Sequence, residues 1–200
     1  MPDPLAELFS SRVRAAVLTL VLPRPHLAFS LTDLSRRLGL PVSSLQHECY
    51  KLTRLGLLRD ERVGNARLYR PDPAWPLLEP LTALTVRAVP LEDALRGAVE
   101  GVPAIAGAWV SGDLVSQSNP VYVVVLGNLG IEDLDGIFDR CLVVLVPLVG
   151  ARRVELAYFP AADWMARMAR GDPFATSLVN GPRIELCAFA RGEREDPHVA

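Results

Sequence analysis

The sequence predicts a mixed α+β chain in two parts, helical with one hairpin in front and alternating between strand and helix behind. Three observations predict it. Apolar residues recur at helical steps of three and four through the first 55 positions. Short apolar runs separated by helical segments fill the second half, as in a sheet layered with helices. The charge changes midway: residues 1–90 carry 12 Arg or Lys against 8 Asp or Glu, and residues 91–200 carry 9 against 15. At 200 residues, half of them hydrophobic, the chain has enough apolar material for a core and is no disordered tail.

Residues 5–22 are expected to form one helix. Leu5, Leu8 and Phe9 make one apolar group, and Val13, Val17, Leu18, Leu20 and Val21 make a second. Pro23 and Pro25 end it. Ala28–Ser30 is a strand stub. Ser30 and Asp33 fit a capping box for a short helix with Leu31, Leu34 and Leu38 on one face, stopped by Gly39. Pro41 suits the first position of the next helix, which runs to about Leu55 with Gly56 after it. Its expected buried stripe is Val42, Leu45, Cys49, Leu52 and Leu55. Two short strands follow, Leu57–Arg59 and Leu68–Arg70, around a polar tip at 60–67 with a Gly-Asn turn.

Four prolines, at 71, 73, 76 and 80, break the chain before two helices, one over the Leu77–Val86 region and one at Leu91–Val99. They lack an obvious apolar partner in either half. Behind them, Ala106–Val110, Val121–Leu126, Cys141–Val146, Val154–Phe159 and Arg183–Ala188 are predicted strands. Ile131–Asp139, Asp163–Arg170 and Pro173–Leu178 are predicted helices. Trp109, Trp164 and Phe174 are expected to fill the core, with a pocket lining as the alternative.

Helix, short helix, glycine turn, longer helix and hairpin is the order of a winged helix-turn-helix, whose second helix enters the DNA major groove. The outward residues suit that use. Gln46 matches adenine, His47 is either a plain surface residue or a further base reader, and Lys51 and Arg54 reach guanine or phosphate. Ser43 and Ser44 stand at a helix N-terminus that favours phosphate oxygens. Arg62, Asn65 and Arg67 sit where the hairpin meets DNA, although Asp60 and Glu61 weaken its positive potential. Tyr50 and Tyr69 are expected to pack, with only their hydroxyls wet. The segments Leu8–Arg14, Leu31–Leu40 and Gly56–Arg59 resemble the winged-helix domain of ArsR-type and related prokaryotic regulators. Metal sensors of that type carry clustered Cys or His ligands, and this chain has no such cluster.

The second half resembles the minimal nucleotidyltransferase domain over about residues 100–190. Ala108–Asp113 stands where that family has a strand ending in Gly-Ser, and Val121–Gly127 where it has an Asp-x-Asp strand. Arg170–Phe174 and Asn180–Leu186 follow in the family's order. The resemblance implies a phosphate-holding turn and paired aspartates that bind two magnesium ions. Here Asp113 takes the serine position, Pro120 and Tyr122 take the aspartate positions, and no Asp or Glu lies between Leu114 and Leu129. Neither proline nor a neutral phenol serves magnesium. Glu155 is the one carboxylate expected nearby, most simply as a surface residue. The expectation is therefore no catalytic residues, no cofactor and no metal.

Cys49, Cys141 and Cys187 are odd in number and widely spaced, which predicts buried reduced thiols. The start lacks a basic segment before an apolar run, and no apolar run approaches the ~20 residues of a membrane helix, so a cytoplasmic protein without a membrane partner is expected. The expected organisation is a winged helix-turn-helix at 1–72, a helical linker at 73–101, a nucleotidyltransferase-like domain at 102–192 and a flexible tail at 193–200. The expected function is transcriptional regulation on double-stranded DNA as a homodimer, with an unidentified small-molecule effector as a further ligand. Two alternatives stay open: a nucleotidyltransferase acting on a protein or small molecule, and a winged-helix adaptor that binds protein.

Overall fold

A computed structural model describes residues 3–115 and 119–188. The tail expected at 193–200 lies outside the described residues. The chain divides into two compact units, 1–100 and 101–200. Both mix helix and strand, so the α+β class holds. No helix among the described residues is long and apolar enough to cross a membrane.

The first unit opens with two helices where one was expected, α1 (Pro4–Leu8) and α2 (Arg12–Val21). Ser10 turns into the left-handed region at φ 50°, and the Ser11 hydroxyl accepts the Arg14 N–H at 3.1 Å as the cap of α2. A capping hydroxyl satisfies a helix-start donor, so a serine pair can restart a helix inside an apolar pattern. Leu5 and Ala6 of α1 pack against Ala15 of α2.

β1 (Phe29–Ser30) leads straight into α3 (Leu31–Leu38). Ser30 and Asp33 form the expected capping box, and Gly39 closes the helix at φ 65°. α4 (Val42–Arg54) begins one residue later than expected, with Pro41 as its N-cap. Leu45, Cys49 and Leu52 are buried as expected. Val42 and Leu55, at the two ends of the stripe, are instead 44% and 58% exposed. The place between them goes to Glu48, 4% exposed and paired to the Arg14 Nε at 2.6 Å.

β2 (Leu58–Val63) and β3 (Ala66–Pro71) form one antiparallel hairpin closed by Gly64-Asn65, with Gly64 at φ 60°. The strands reach to the turn, so the eight-residue tip is corrected to a tight one. Residues 60–67 are polar because this part of the hairpin is exposed, and ion pairs tie its strands: Asp60 to Arg67 and Glu61 to Arg70, both at 3.0 Å. β1 adds to β3 antiparallel, giving the sheet order β1-β3-β2.

α5 (Leu78–Val86) and α6 (Leu91–Val99) complete the unit. Several of their apolar residues are buried or packed on the core. Leu78 and Leu81, with Trp75 before them, pack on the core of Leu18, Leu22, Leu34, Leu45, Leu52 and Leu57. At the end of α6, Glu100 accepts from the Nε of Arg24 and from an Nη of Arg37, each at 2.6 Å. The His26 Nε2 lies 2.7 Å from the Glu100 carbonyl oxygen. Burial opposes ionisation of Glu100, but the two guanidinium bonds outweigh it and hold the carboxyl below its ordinary range.

The second unit is a four-stranded sheet in the order β6-β5-β4-β7. β4 (Ile105–Ser111) runs antiparallel to β5 (Val121–Gly127) and to β7 (Arg183–Cys187). β5 and β6 (Val154–Phe159) are parallel. A parallel pair needs a crossover, and the single long helix α7 (Ile131–Val149) supplies it, followed by a 3-10 turn at Ala151–Arg153. The strand expected at Cys141–Val146 is therefore the second half of that helix. Ile137, Cys141, Val144, Leu145 and Val149 are buried at helical spacing. The exposed apolar residues Val143 and Leu148 filled the gaps and masked the period. Burial pushes the Cys49 and Cys141 thiols up to about 12, leaving them protonated and inert.

α8 (Ala161–Ala169) and α9 (Pro173–Asn180) cover the sheet face carrying Trp109, Val124, Leu126, Ala157 and Phe159. Trp109 and Trp164 meet edge to face at 5.3 Å, and the Trp109 Nε1–H donates to the Leu178 carbonyl at 2.9 Å. Phe174 is not in the core: it is 42% exposed, with its ring 5.4 Å from that of Tyr122.

Candidate nucleic-acid interface

Two elements of the first unit turn polar side chains outward beside each other. α4 buries Leu45, Glu48, Cys49 and Leu52, which leaves Ser43, Gln46, His47, Tyr50, Lys51 and Arg54 exposed. The helix starts with no side-chain cap, so no capping side chain meets its first N–H groups, which carry the positive end of the helix dipole. The hairpin stands beside it. In an antiparallel pair, cross-strand partners share a face. Asp60 pairs with Tyr69, and Arg62 with Arg67, so these four side chains share one face.

An open cleft of about 300 Å³ joins the two elements. It is lined by Ser43, Gln46, His47, Tyr50, Arg67 and Tyr69. Four residues predicted from sequence, Ser43, Gln46, His47 and Arg67, thus come together. Ser44 is half-buried and does not line the cleft. Lys51 and Arg54 extend the exposed face of α4, with the Arg54 guanidinium 5.9 Å from the Tyr50 ring centre. Arg62 and Asn65 are exposed at the hairpin end.

The two tyrosines of this unit differ. Tyr69 is buried as expected, and its phenol also forms part of the cleft wall. Tyr50 is 57% exposed and belongs to the polar face. Its position, four residues before Arg54 and three after His47, was the available signal. Asp60 was also missed, because its ion pair with Arg67 depends on the strand register.

In the second unit the residues singled out from sequence are Asp113, Pro120, Tyr122 and Glu155. Asp113 follows β4 after Gly112, and its carboxylate accepts the Val115 N–H at 2.8 Å. Pro120 stands just before β5 and Tyr122 inside it, where Tyr122 is cross-strand partner to both Ser111 and the exposed Glu155. Among the described residues no three His, Cys, Asp or Glu side chains are grouped to hold a metal ion. No protein-family model, curated protein or solved structure matches the chain.

Proposed function

We propose that this protein is a DNA-binding transcriptional regulator. In this reading the first unit is a winged helix-turn-helix, with α4 in the major groove and the β2–β3 hairpin on the adjoining backbone. The observation that carries it is the cleft in which Ser43, Gln46 and His47 of α4 meet Arg67 of the hairpin. Bidentate groups for base edges sit beside cations for phosphate, the combination duplex recognition needs. The second unit is read as a nucleotidyltransferase-like scaffold without the carboxylates for metal-assisted transfer. Its mixed sheet and its Pro120 and Tyr122 support that reading. A homodimer places two α4 helices about one DNA turn apart, roughly 34 Å, and makes up for the few contacts one copy offers. A small-molecule effector acting on the second unit, and residence in the cytoplasm, complete the proposal.

A gel-shift series on genomic fragments, repeated across salt concentrations, tests the DNA reading. Retarded complexes whose affinity falls steeply with salt are expected. No retardation at micromolar protein and low salt ends it. Incubation with magnesium and labelled nucleotides tests the enzyme alternative, and no label transfer is expected.

A further inference from the structure

We infer that Asp60 is a positioning residue, which holds Arg67 so that its guanidinium meets a DNA backbone phosphate at the cleft. The inference rests on the DNA-binding reading above and deepens it. The Asp60 carboxylate meets Arg67 at Nε, 3.0 Å away. The two terminal nitrogens are the fork that matches a phosphate in bidentate fashion. Arg67 is half exposed, and an arginine left alone there samples many rotamers. The ion pair at Nε narrows that freedom while leaving the fork for a ligand.

The surrounding charge points to an anion. Arg62 and Arg67 are direct cross-strand partners on one face, an arrangement of like charges that disfavours the hairpin. Asp60 offsets one of the two positive charges, and an anion at the cleft offsets the other. The Ser43 side chain at the uncapped start of α4, with Gln46, His47 and Tyr50, lines the same cleft with hydrogen-bonding groups. On that surface the Arg67 fork fits one phosphodiester oxygen pair, a contact that by itself carries no base information. Asp60, which in a simple charge count opposes DNA binding, on this account assists it.

That reversal of sign makes the test sharp. The full-length protein is titrated onto a fluorescent 25-base-pair duplex of mixed sequence, from 50 to 200 mM salt. Asp60→Ala is expected to weaken binding about three- to tenfold and to lower the salt slope by about 0.9, one phosphate contact. Asp60→Glu keeps a carboxylate to pair with Arg67, and is expected to bind more tightly than Asp60→Ala. In an Arg67→Ala background, Asp60→Ala is expected to cause no further loss. Melting curves of all variants confirm that the hairpin change leaves the fold intact. If Asp60→Ala instead binds more tightly with an unchanged slope, Asp60 merely repels DNA and the inference is overturned, while the DNA reading stands. If the unmodified protein binds no duplex at all, the DNA reading fails and takes this role of Asp60 with it.

Discussion

Glu100 accepts hydrogen bonds from two arginines, and its ionisation is therefore coupled to folding of the first unit. Its folded-state pKa lies below the ordinary value. The ion pairs thus stabilise the unit above pH of about 4.3, the usual glutamate value, and that contribution is lost as pH falls through the lower folded value. Glu100→Gln is expected to lower stability by about 1–2 kcal/mol at pH 7, with the gap to the unmodified protein closing below pH 4. Urea titrations at a series of pH values measure it. A gap that persists unchanged at pH 3 would show that the carboxylate charge is not what matters. Lys51 and Arg54 make the corresponding prediction for binding. Each alanine variant is expected to reduce the salt slope on duplex DNA by about 0.9 if its side chain meets a phosphate. An unchanged slope in both places these side chains outside the interface. Lys51 and Arg54 were legible from sequence because helical spacing alone turns them outward. Asp60 was not, because its ion pair with Arg67 exists only once Asp60 stands opposite Tyr69.

At the scale of elements, α3 shows which features a sequence declares openly. Its boundaries follow from Ser30, Asp33 and Gly39, whose chemistry acts within four residues. The Ser30 hydroxyl holds the Asp33 carboxyl below its usual range and accepts the Asp33 N–H at 3.1 Å. Ser30→Ala is expected to cost about 1 kcal/mol, read as a lower urea midpoint with unchanged slope. Gly39→Ala, which forces a side chain into φ 65°, is expected to cost a similar amount although open space surrounds the position. α7 is the opposite case. Cys141–Val146 contains no polar residue to mark a face, so strand and buried helix have the same local pattern. The choice is made at a distance, by the parallel register of β5 and β6. The break between α1 and α2 belongs between these extremes: Ser11 is a recognisable cap, but the apolar pattern continues across it.

For the whole molecule, the shift in composition was visible from charge alone, while the extent of the first unit was not. Trp75, Leu78 and Leu81 join its core, and Glu100 joins its ion pairs, all beyond residue 72. A fragment of residues 1–100 is accordingly expected to unfold cooperatively. A fragment of residues 1–72 is expected to be less stable by more than about 3 kcal/mol, since several large apolar side chains lose their burial. Comparing the two by urea denaturation decides it, and equal midpoints would mean that α5 and α6 contribute nothing to this core. In the second unit β4, β5, β6 and β7 were legible as short apolar runs between helical segments, while the full length of α7 was not.

The grip on Glu100 has a mechanical meaning. Residue 100 is where the first unit ends, and it is bolted by its side chain to α3 through Arg37 and to the segment after α2 through Arg24. The last residue of this unit is thus held by two segments that precede it by more than sixty positions. Loosening Glu100 therefore reaches α3, the helix packed against α4, and through it the base of the proposed DNA-facing helix.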